Sequence, residues 1–188
     1  MEAKINVYDK SKIGKIIAHG WDHLVYEYGE DKVIKFSYLE ILQSEHGRQK
    51  AIEDYLTCRR FFGNYILNTE IISLPNGKKT VKIQPKIFGH YLTKKDLSQS
   101  SVLDQFKEII KAEESMVAAG CGSLDLVGHK GVFRRRLSNI FVTPDNKLTI
   151  FDTMLISFKN LGISYPLFFI GWNISKWRQK YLIKYFLS

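Results

Sequence analysis

Residues 137–153 read LSNIFVTPDNKLTIFDT, and the rest of the sequence can be interpreted outward from this stretch. Two apolar runs flank residues 144–146, Pro-Asp-Asn, where proline presets φ and Asp and Asn tolerate a tight bend. This pattern predicts a β-hairpin. Because the ends of a hairpin lie together, Asn139 and Asp152 should converge. An amide oxygen and a carboxylate at one place are suitable ligands for a hard divalent cation, although the same two residues would also cap an ordinary exposed hairpin.

Composition limits the classes of protein to which the chain can belong. The chain has 188 residues, of which 45% are hydrophobic, enough for one domain or for two small lobes with a core. The 28 Lys and Arg residues exceed the 19 Asp and Glu residues, giving a net charge of +9. This charge favours anionic partners such as nucleotides or nucleic acids without choosing among them.

Two further observations concern location. Cys58 and Cys121 lie far apart without a C-x-x-C spacing, so neither a disulfide framework nor a zinc site is indicated. The first residues contain no apolar export segment, and no run approaches the roughly 18 apolar residues that would span a bilayer. We therefore expect a soluble, cytoplasmic protein without a transmembrane segment.

The first part of the sequence predicts an antiparallel sheet with one helix. Three β-rich runs separated by turns indicate a three-stranded meander, namely residues 13–18, 24–28 and 32–36. Residues 41–62 have the apolar spacing of a helix that ends at Gly63. A further strand is expected to begin at Ile66, and a hairpin over residues 68–87 is predicted from the Pro-Asn-Gly turn at 75–77.

The second part of the sequence is more helical. Residues 101–119 carry one apolar stripe and are predicted to form a helix that stops at Gly120. Residues 165–187 predict one closing helix, or two short helices broken near Gly171. This last segment is aromatic and basic, which suits a membrane surface or a partner, or simply the packing face of a small lobe.

The order of these elements, together with Asn139 and Asp152, resembles the protein-kinase-like superfamily, which includes aminoglycoside and related small-molecule phosphotransferases. In that superfamily an Asn at the end of the catalytic loop precedes, by thirteen residues, the metal-binding Asp of a D-F-G or I-D-x sequence. The resemblance covers residues 12–155. It implies an α+β, two-lobed kinase-like fold with a nucleotide-binding lobe over residues 1–88 and a truncated helical lobe over 89–188.

The resemblance also implies a role for particular residues. Asn139 and Asp152 would hold magnesium. Lys35, in V-I-K-F, would orient the α and β phosphates of ATP, and Gly20 would lie at the tip of the loop that covers them. Glu53 would pair with Lys35. Taken singly, each of the last three also fits an ordinary explanation: a strand lysine in contact with apolar neighbours, a hairpin turn and an exposed helix acid.

Two parts of the nucleotide site leave alternatives open. Glu45 is the second choice as the partner of Lys35. The adenine ring would be bound by the backbone of the segment after the last strand of the first lobe. Pro85 has no N–H, so the donor would come from Ile87 or Phe88.

The catalytic base is the point at which the sequence departs from the superfamily. Arg134 lies five residues before Asn139, where the superfamily has its catalytic Asp, and a guanidinium stays protonated. The nearest upstream carboxylate is Asp125, which becomes the candidate base if residues 128–137 form an inserted loop. Otherwise Asp125 only caps a turn. The arginines at 134–136 would either neutralise phosphate, bind an anionic acceptor or form a solvated loop.

The sequence thus predicts an ATP- and magnesium-dependent phosphotransferase with an unidentified acceptor, which could be an anionic small molecule, a protein or a nucleic acid. Only 36 residues follow Asp152, so we expect no peptide-substrate machinery of the usual kind. Two alternatives stay open. A pseudokinase, favoured by Arg134, would bind nucleotide or a partner without turnover. A basic nucleic-acid-binding module fits the arginine run, although no recognised reading motif accompanies it.

Overall fold

The structure is a computed structural model that describes residues 8–20, 23–37, 45–73, 80–128, 137–156 and 166–188. It is of the mixed α+β class, as expected. The chain divides into two compact units, which we call the N-terminal unit (Met1–Leu56 and Leu67–Ile87) and the C-terminal unit (Thr57–Ile66 and Phe88–Ser188). The predicted lobes were divided once, after residue 88. The units divide after residue 87 and again on either side of residues 57–66.

The N-terminal unit contains, within its described residues, a five-stranded antiparallel sheet in the order β1-β2-β3-β5-β4. Its strands are β1 (Ile13–His19), β2 (His23–Tyr28), β3 (Lys32–Ser37), β4 (Glu70–Ser73) and β5 (Thr80–Pro85). The predicted meander is confirmed. The strand expected from Ile66 is wrong in its start, since Ile66 makes only an isolated bridge to Ile150 and β4 begins at Glu70. The predicted turn at 75–77 lies outside the described residues.

The two faces of this sheet differ in polarity. On one face, Ile34, Ile72, Val81 and Ile83 are buried together in an apolar core. Because directly paired residues of antiparallel strands project to the same face, the other face is identified by Lys35 of β3 and Lys82 of β5, which are opposite each other. Lys82 is buried. The second face is therefore polar although much of it is covered.

The predicted first helix is confirmed as α1 (Glu45–Phe62), and residues 41–44 lie outside the described part. Its buried positions, Ala51, Asp54 and Cys58, recur at three and four residues and so form one stripe along the helix.

The C-terminal unit contains the helices α2 (Ser100–Ala118) and α3 (Pro166–Leu187). Its strands are β6 (His90–Leu92), β7 (Ser123–Leu124), β8 (Leu137–Val142), β9 (Leu148–Ile150) and β10 (Leu155–Ile156). The α2 prediction and the one-helix alternative for α3 are both confirmed. Phe106 of α2 is fully buried, and its ring lies 6.0 Å from that of Phe186 of α3. None of the described helices is both long and apolar enough to span a membrane.

The predicted hairpin is formed by β8 and β9, with Ile140 opposite Ile150. Asn146 in its turn has a φ of 59°, a left-handed conformation that Asn tolerates. Two further pairings were not predicted: β6 extends the hairpin to a sheet in the order β6-β8-β9, and β7 pairs with β10. Through these pairings the short strands β6, β7 and β10 fix the segments that precede and follow the hairpin.

Replacing Phe106 by Ala tests the packing of α2 against α3. The lost burial and the resulting cavity should reduce the free energy of unfolding by about 3–5 kcal/mol. Val117→Ala is the control on the same helix, because Val117 is exposed, and should change the free energy of unfolding by no more than about 0.5 kcal/mol. Urea denaturation measures both, and equal losses would contradict the described core.

Candidate functional site

The C-terminal unit brings Asp125 and Asn139 into direct contact. The side-chain Nδ2 of Asn139 donates a hydrogen bond to the backbone carbonyl oxygen of Asp125 at 2.6 Å. Two backbone hydrogen bonds join the same two segments. Ser138 N–H donates to the Val127 carbonyl at 2.9 Å, and Asn139 N–H donates to the Leu126 carbonyl at 3.3 Å. The segment that follows β7 therefore runs beside the start of β8. Two residues fourteen positions apart in the sequence thus become neighbours.

Gly128 ends this segment, and the site requires a glycine there for two reasons. Its φ is +65°, a backbone conformation that side chains disfavour. A Cβ atom at this position would lie only 2.6 Å from Oδ1 of Asn139. Because Gly128 has no side chain, the Asn139 amide can lie directly against the backbone at residue 128.

The carboxylate of Asp125 is held by its own turn. Its Oδ1 accepts hydrogen bonds from the backbone N–H groups of Val127 and Gly128, each at 3.0 Å. Burial raises the pKa of Asp125 above its ordinary value, and the negative charge of Asp152 raises it further, against the two hydrogen bonds that lower it. The carboxylate therefore caps its own turn, which is one of the two alternatives expected from the sequence, and it lies close enough to Asp152 to be affected by its charge.

Asp152 reaches this place through a second strand pairing. It lies between β9 and β10, and β10 pairs antiparallel with β7 so that Leu155 is opposite Leu124. This pairing brings the residues just before β10 to the side of Asp125, which directly follows β7. Oδ1 of Asp152 accepts a hydrogen bond from the backbone N–H of Met154 at 3.3 Å, which orients the carboxylate.

Two buried side chains from the helices fix β7 and the segment after it. Gln179 of α3 donates from Nε2 to the Leu124 carbonyl at 3.1 Å and accepts at Oε1 from the Leu126 N–H at 2.9 Å. Glu113 of α2 accepts from the Ser123 hydroxyl at 2.5 Å and from the Leu124 N–H at 3.2 Å. Burial raises the pKa of Glu113.

Gln179 therefore clamps the backbone on both sides of Asp125. Neither Glu113 nor Gln179 was predicted from the sequence to belong to the site. The signal that could have found both is a polar residue at a position where the helical period requires an inward-facing side chain.

In the N-terminal unit, the acidic residues of α1 differ in burial and in their partners. Lys35 is half-buried in β3. Glu53 is exposed, so its pairing with Lys35 stays a prediction, and Glu45 forms an ion pair with Arg48. The buried carboxylate of α1 is Asp54, whose Oδ2 accepts from the Lys50 ammonium at 2.5 Å.

A chain of hydrogen bonds places α1 beside the polar face of the sheet. The Tyr55 hydroxyl of α1 accepts from the Thr69 N–H at 3.2 Å, and the Thr69 hydroxyl accepts from Nε2 of Gln84 at 2.8 Å. Gln84 lies two positions after Lys82 on β5, so both project to the same face. Since Lys35 is opposite Lys82, α1 is connected to the face that carries Lys35.

The other residues that were predicted to contact nucleotide lie in described segments of the backbone. Gly20 donates its N–H to the His23 carbonyl at 2.8 Å in the tight β1–β2 connection, whose residues 21 and 22 are not described. Ile87 is half-buried and Phe88 is 67% exposed in the segment between β5 and β6. Their contacts with nucleotide stay predictions. The arginines at 134–136 lie outside the described residues.

The donor set around Asn139 fits a magnesium ion. The Asn139 amide nitrogen is committed to the Asp125 carbonyl, which leaves the amide oxygen as the atom that could bind a cation. Magnesium is commonly bound by one or two carboxylates together with substrate phosphates. Among the described residues, no three or more His, Cys, Asp or Glu side chains gather into a metal site. The candidate ligands are therefore an amide and a carboxylate, Asn139 and Asp152.

Compared with known protein families and with curated proteins, the sequence matches none of them. The function is therefore inferred from the chemistry of the site.

Replacing Asp125 by Asn should stabilise the protein at neutral pH. The amide oxygen can still accept from both backbone N–H groups, while the unfavourable burial of a charge near Asp152 is removed. Because the folded-state pKa is raised above 3.8, the carboxylate destabilises the fold at pH values above the raised pKa, and this effect disappears as the pH falls to 3.8. Each kcal/mol gained would raise the melting temperature by about 2–4 °C.

Melting temperatures of Asp125→Asn and wild type, measured from pH 7 down to pH 4, check this prediction. The difference between them should be largest at pH 7 and shrink as the pH falls. Asp104→Asn is the control, since Asp104 is exposed on α2 and its replacement should have little effect at either pH. A variant that gains stability only at low pH would show the opposite sign and refute the described environment.

Proposed function

We propose that the protein is an ATP- and magnesium-dependent phosphotransferase of the protein-kinase-like type. The observation that carries this proposal is the contact between Asp125 and Asn139 beside Asp152. These are the residue types that the chemistry requires: a carboxylate that can accept a proton, and two oxygen ligands for a cation that neutralises phosphate. In the sequence they are separated by fourteen and thirteen positions, and only long-range pairing brings them together.

Two backbone hydrogen bonds support an insertion as the reason why an arginine lies where the superfamily has its base. The bonds from Ser138 and Asn139 to the carbonyls of Val127 and Leu126 join the two ends of the intervening segment. We infer from this that residues 128–137 are an insertion relative to the superfamily, so that the position five residues before Asn139 would fall inside it. Because the Asn139 side chain is bonded to the backbone carbonyl of Asp125, Asp125 would be the residue that supplies the base. This favours turnover over the pseudokinase alternative.

Each residue in the proposal has a distinct role. Asp125 would accept the proton of the acceptor hydroxyl, for which a raised pKa is an advantage. Asn139 and Asp152 would hold magnesium, which supplies neutralising charge to the phosphates when bound. Lys35 would orient the α and β phosphates. Since phosphoryl transfer depends mostly on positioning and charge, the hydrogen bonds that fix Asp125 and Asn139 matter as much as their chemistry.

Nucleotide binding and turnover can be separated with two variants. Wild-type protein should be stabilised by ATP with magnesium, by about 2.7 kcal/mol at a hundredfold excess over the dissociation constant. Asp152→Asn should abolish the magnesium-dependent part of this stabilisation. Asp125→Asn should keep it but lower the rate of ADP formation by about 10²–10⁴-fold, the usual contribution of a general base. Thermal shift and a coupled ADP assay provide the two measurements.

Asp104→Asn serves as the matched control in both assays. Binding without ADP formation in the wild type would leave the pseudokinase alternative. The absence of any magnesium-dependent shift would refute the phosphotransferase proposal. Salt-dependent binding to RNA or DNA without ATP would then favour the nucleic-acid-binding module.

The acidic residue on α1 that supports Lys35 can be identified by a pair of neighbouring variants. We expect Asp54→Asn to weaken ATP binding about tenfold, a change of 1.4 kcal/mol, because Asp54 is buried on the stripe of a helix connected to the Lys35 face. Glu53→Gln should leave the affinity unchanged, because Glu53 is exposed. Titration calorimetry below the melting temperature of both variants measures this, and the reverse order would restore Glu53 as the partner.

A further inference from the structure

The outward side of α3 carries large apolar side chains where a surface helix normally has polar ones. Ile174, Trp177 and Tyr181, spaced at three and four residues, are 60%, 71% and 50% exposed. The rings of Trp177 and Tyr181 are stacked with their centroids 6.1 Å apart. We call Ile174, Trp177 and Tyr181 the outer stripe. Contiguous exposed apolar surface of this kind marks a site of interaction.

The outer stripe cannot be an unburied part of the core, because the opposite side of α3 is already packed. Leu182 and Phe186 are buried there, and Phe186 contacts Phe106 of α2. Gln179 is buried as well and is bonded to the backbone at Leu124 and Leu126. Turning the outer stripe inward would break these contacts.

The surroundings of the outer stripe are cationic. Lys180 and Lys184 are exposed and lie one helical turn apart on the adjacent side of α3. Lys94 adds a further ammonium near the end of the helix, 4.8 Å from the centre of the Tyr185 ring. Asp152 is the last acidic residue of the sequence, so α3 itself carries no carboxylate side chain, and the carboxylates that face its lysines are Glu113 and Glu114 of α2. The charge complements an anionic surface.

We propose that the outer stripe, with Lys180 and Lys184, binds the surface of a bilayer that contains anionic lipids. Trp and Tyr favour the depth of the lipid headgroups because one end of each ring system is apolar and the other polar. Lysines beside them would contact lipid phosphates. Residues 176–184 carry four cations, Lys176, Arg178, Lys180 and Lys184, which are unfavourable in hydrocarbon, so the helix would lie in the interface rather than cross it.

A groove beside the same lysines favours lipid over nucleic acid as the partner. It lies between α2 and α3 and has a volume of about 840 Å³. Lys180, Lys184 and aliphatic side chains such as Ile183 and Leu187 line it from α3, and the carboxylates of Glu113 and Glu114 line it from α2. Nucleobases bind by stacking on aromatic rings, whereas aliphatic side chains next to cations suit a headgroup with its hydrocarbon. This proposal does not depend on the proposed phosphotransferase activity.

Co-sedimentation of the full chain with vesicles tests the proposal. The protein should bind vesicles of phosphatidylcholine with one third phosphatidylglycerol, and not vesicles of phosphatidylcholine alone. Binding should weaken as salt is added, because salt screens the lysines. Two double variants should each lower the affinity about tenfold or more: Trp177→Ser with Tyr181→Ser, and Lys180→Glu with Lys184→Glu.

The matched control is Lys107→Glu with Lys111→Glu, which makes the same charge change at the same spacing on α2, where both lysines are exposed. It should retain most of the binding. An equal loss in this control would show attraction by net charge alone and would overturn the proposal. So would wild-type protein that fails to bind anionic vesicles. Binding to oligo(U) that is lost in the Trp177 and Tyr181 variant, with vesicle binding unchanged, would overturn it in favour of RNA. Circular dichroism confirms that each variant is folded.

Discussion

The hydrogen bond from the Asn139 amide to the backbone of Asp125 is the constraint around which the C-terminal unit is arranged. It requires β8 to begin beside the segment that follows β7, and it requires Gly128 to lack a side chain. It also fixes which atoms of Asn139 remain for chemistry, since an amide whose nitrogen is bonded presents its oxygen elsewhere. One hydrogen bond thus determines both where the Asn139 side chain lies and which of its atoms is left to bind a ligand.

A half-buried carboxylate such as that of Asp125 would normally destabilise its surroundings. The fold offsets this locally, through two backbone N–H groups on one carboxylate oxygen. It also holds the backbone rigidly, through Gln179 of α3 and Glu113 of α2. A carboxylate kept in such an environment, close to a second carboxylate, is typical of sites where proton transfer or cation binding takes place. Structural ion-pair networks perturb pKa values too, but the residues around Asp125 and Asp152 are not arranged as ion pairs in the described part of the chain.

In the N-terminal unit, the sheet has one apolar and one polar face, and α1 is connected to the polar one. This explains why Asp54 rather than Glu53 is buried: adjacent residues of a helix lie 100° apart, so only one of them can share the stripe of Ala51 and Cys58. The carboxylate chosen by counting residues after Lys35 was one position away from the buried one. The number of residues between Lys35 and α1 does not determine which side of the helix is buried. Packing determines it.

The sequence by itself determined the long elements. β1, β2, β3, the β8–β9 hairpin, α1, α2 and α3 follow from local periodicity and turn residues, which act within a few positions of each other. That Asn139 converges with Asp152 is expected from the same hairpin and stays a prediction. Only the tertiary structure decided what depends on distant partners. β6, β7 and β10 have two or three residues, too few for a periodic signal, and exist because another strand pairs with them. The approach of Asp125 to Asn139 depends on those pairings, and a loop of any length between them costs little more in entropy than a short one.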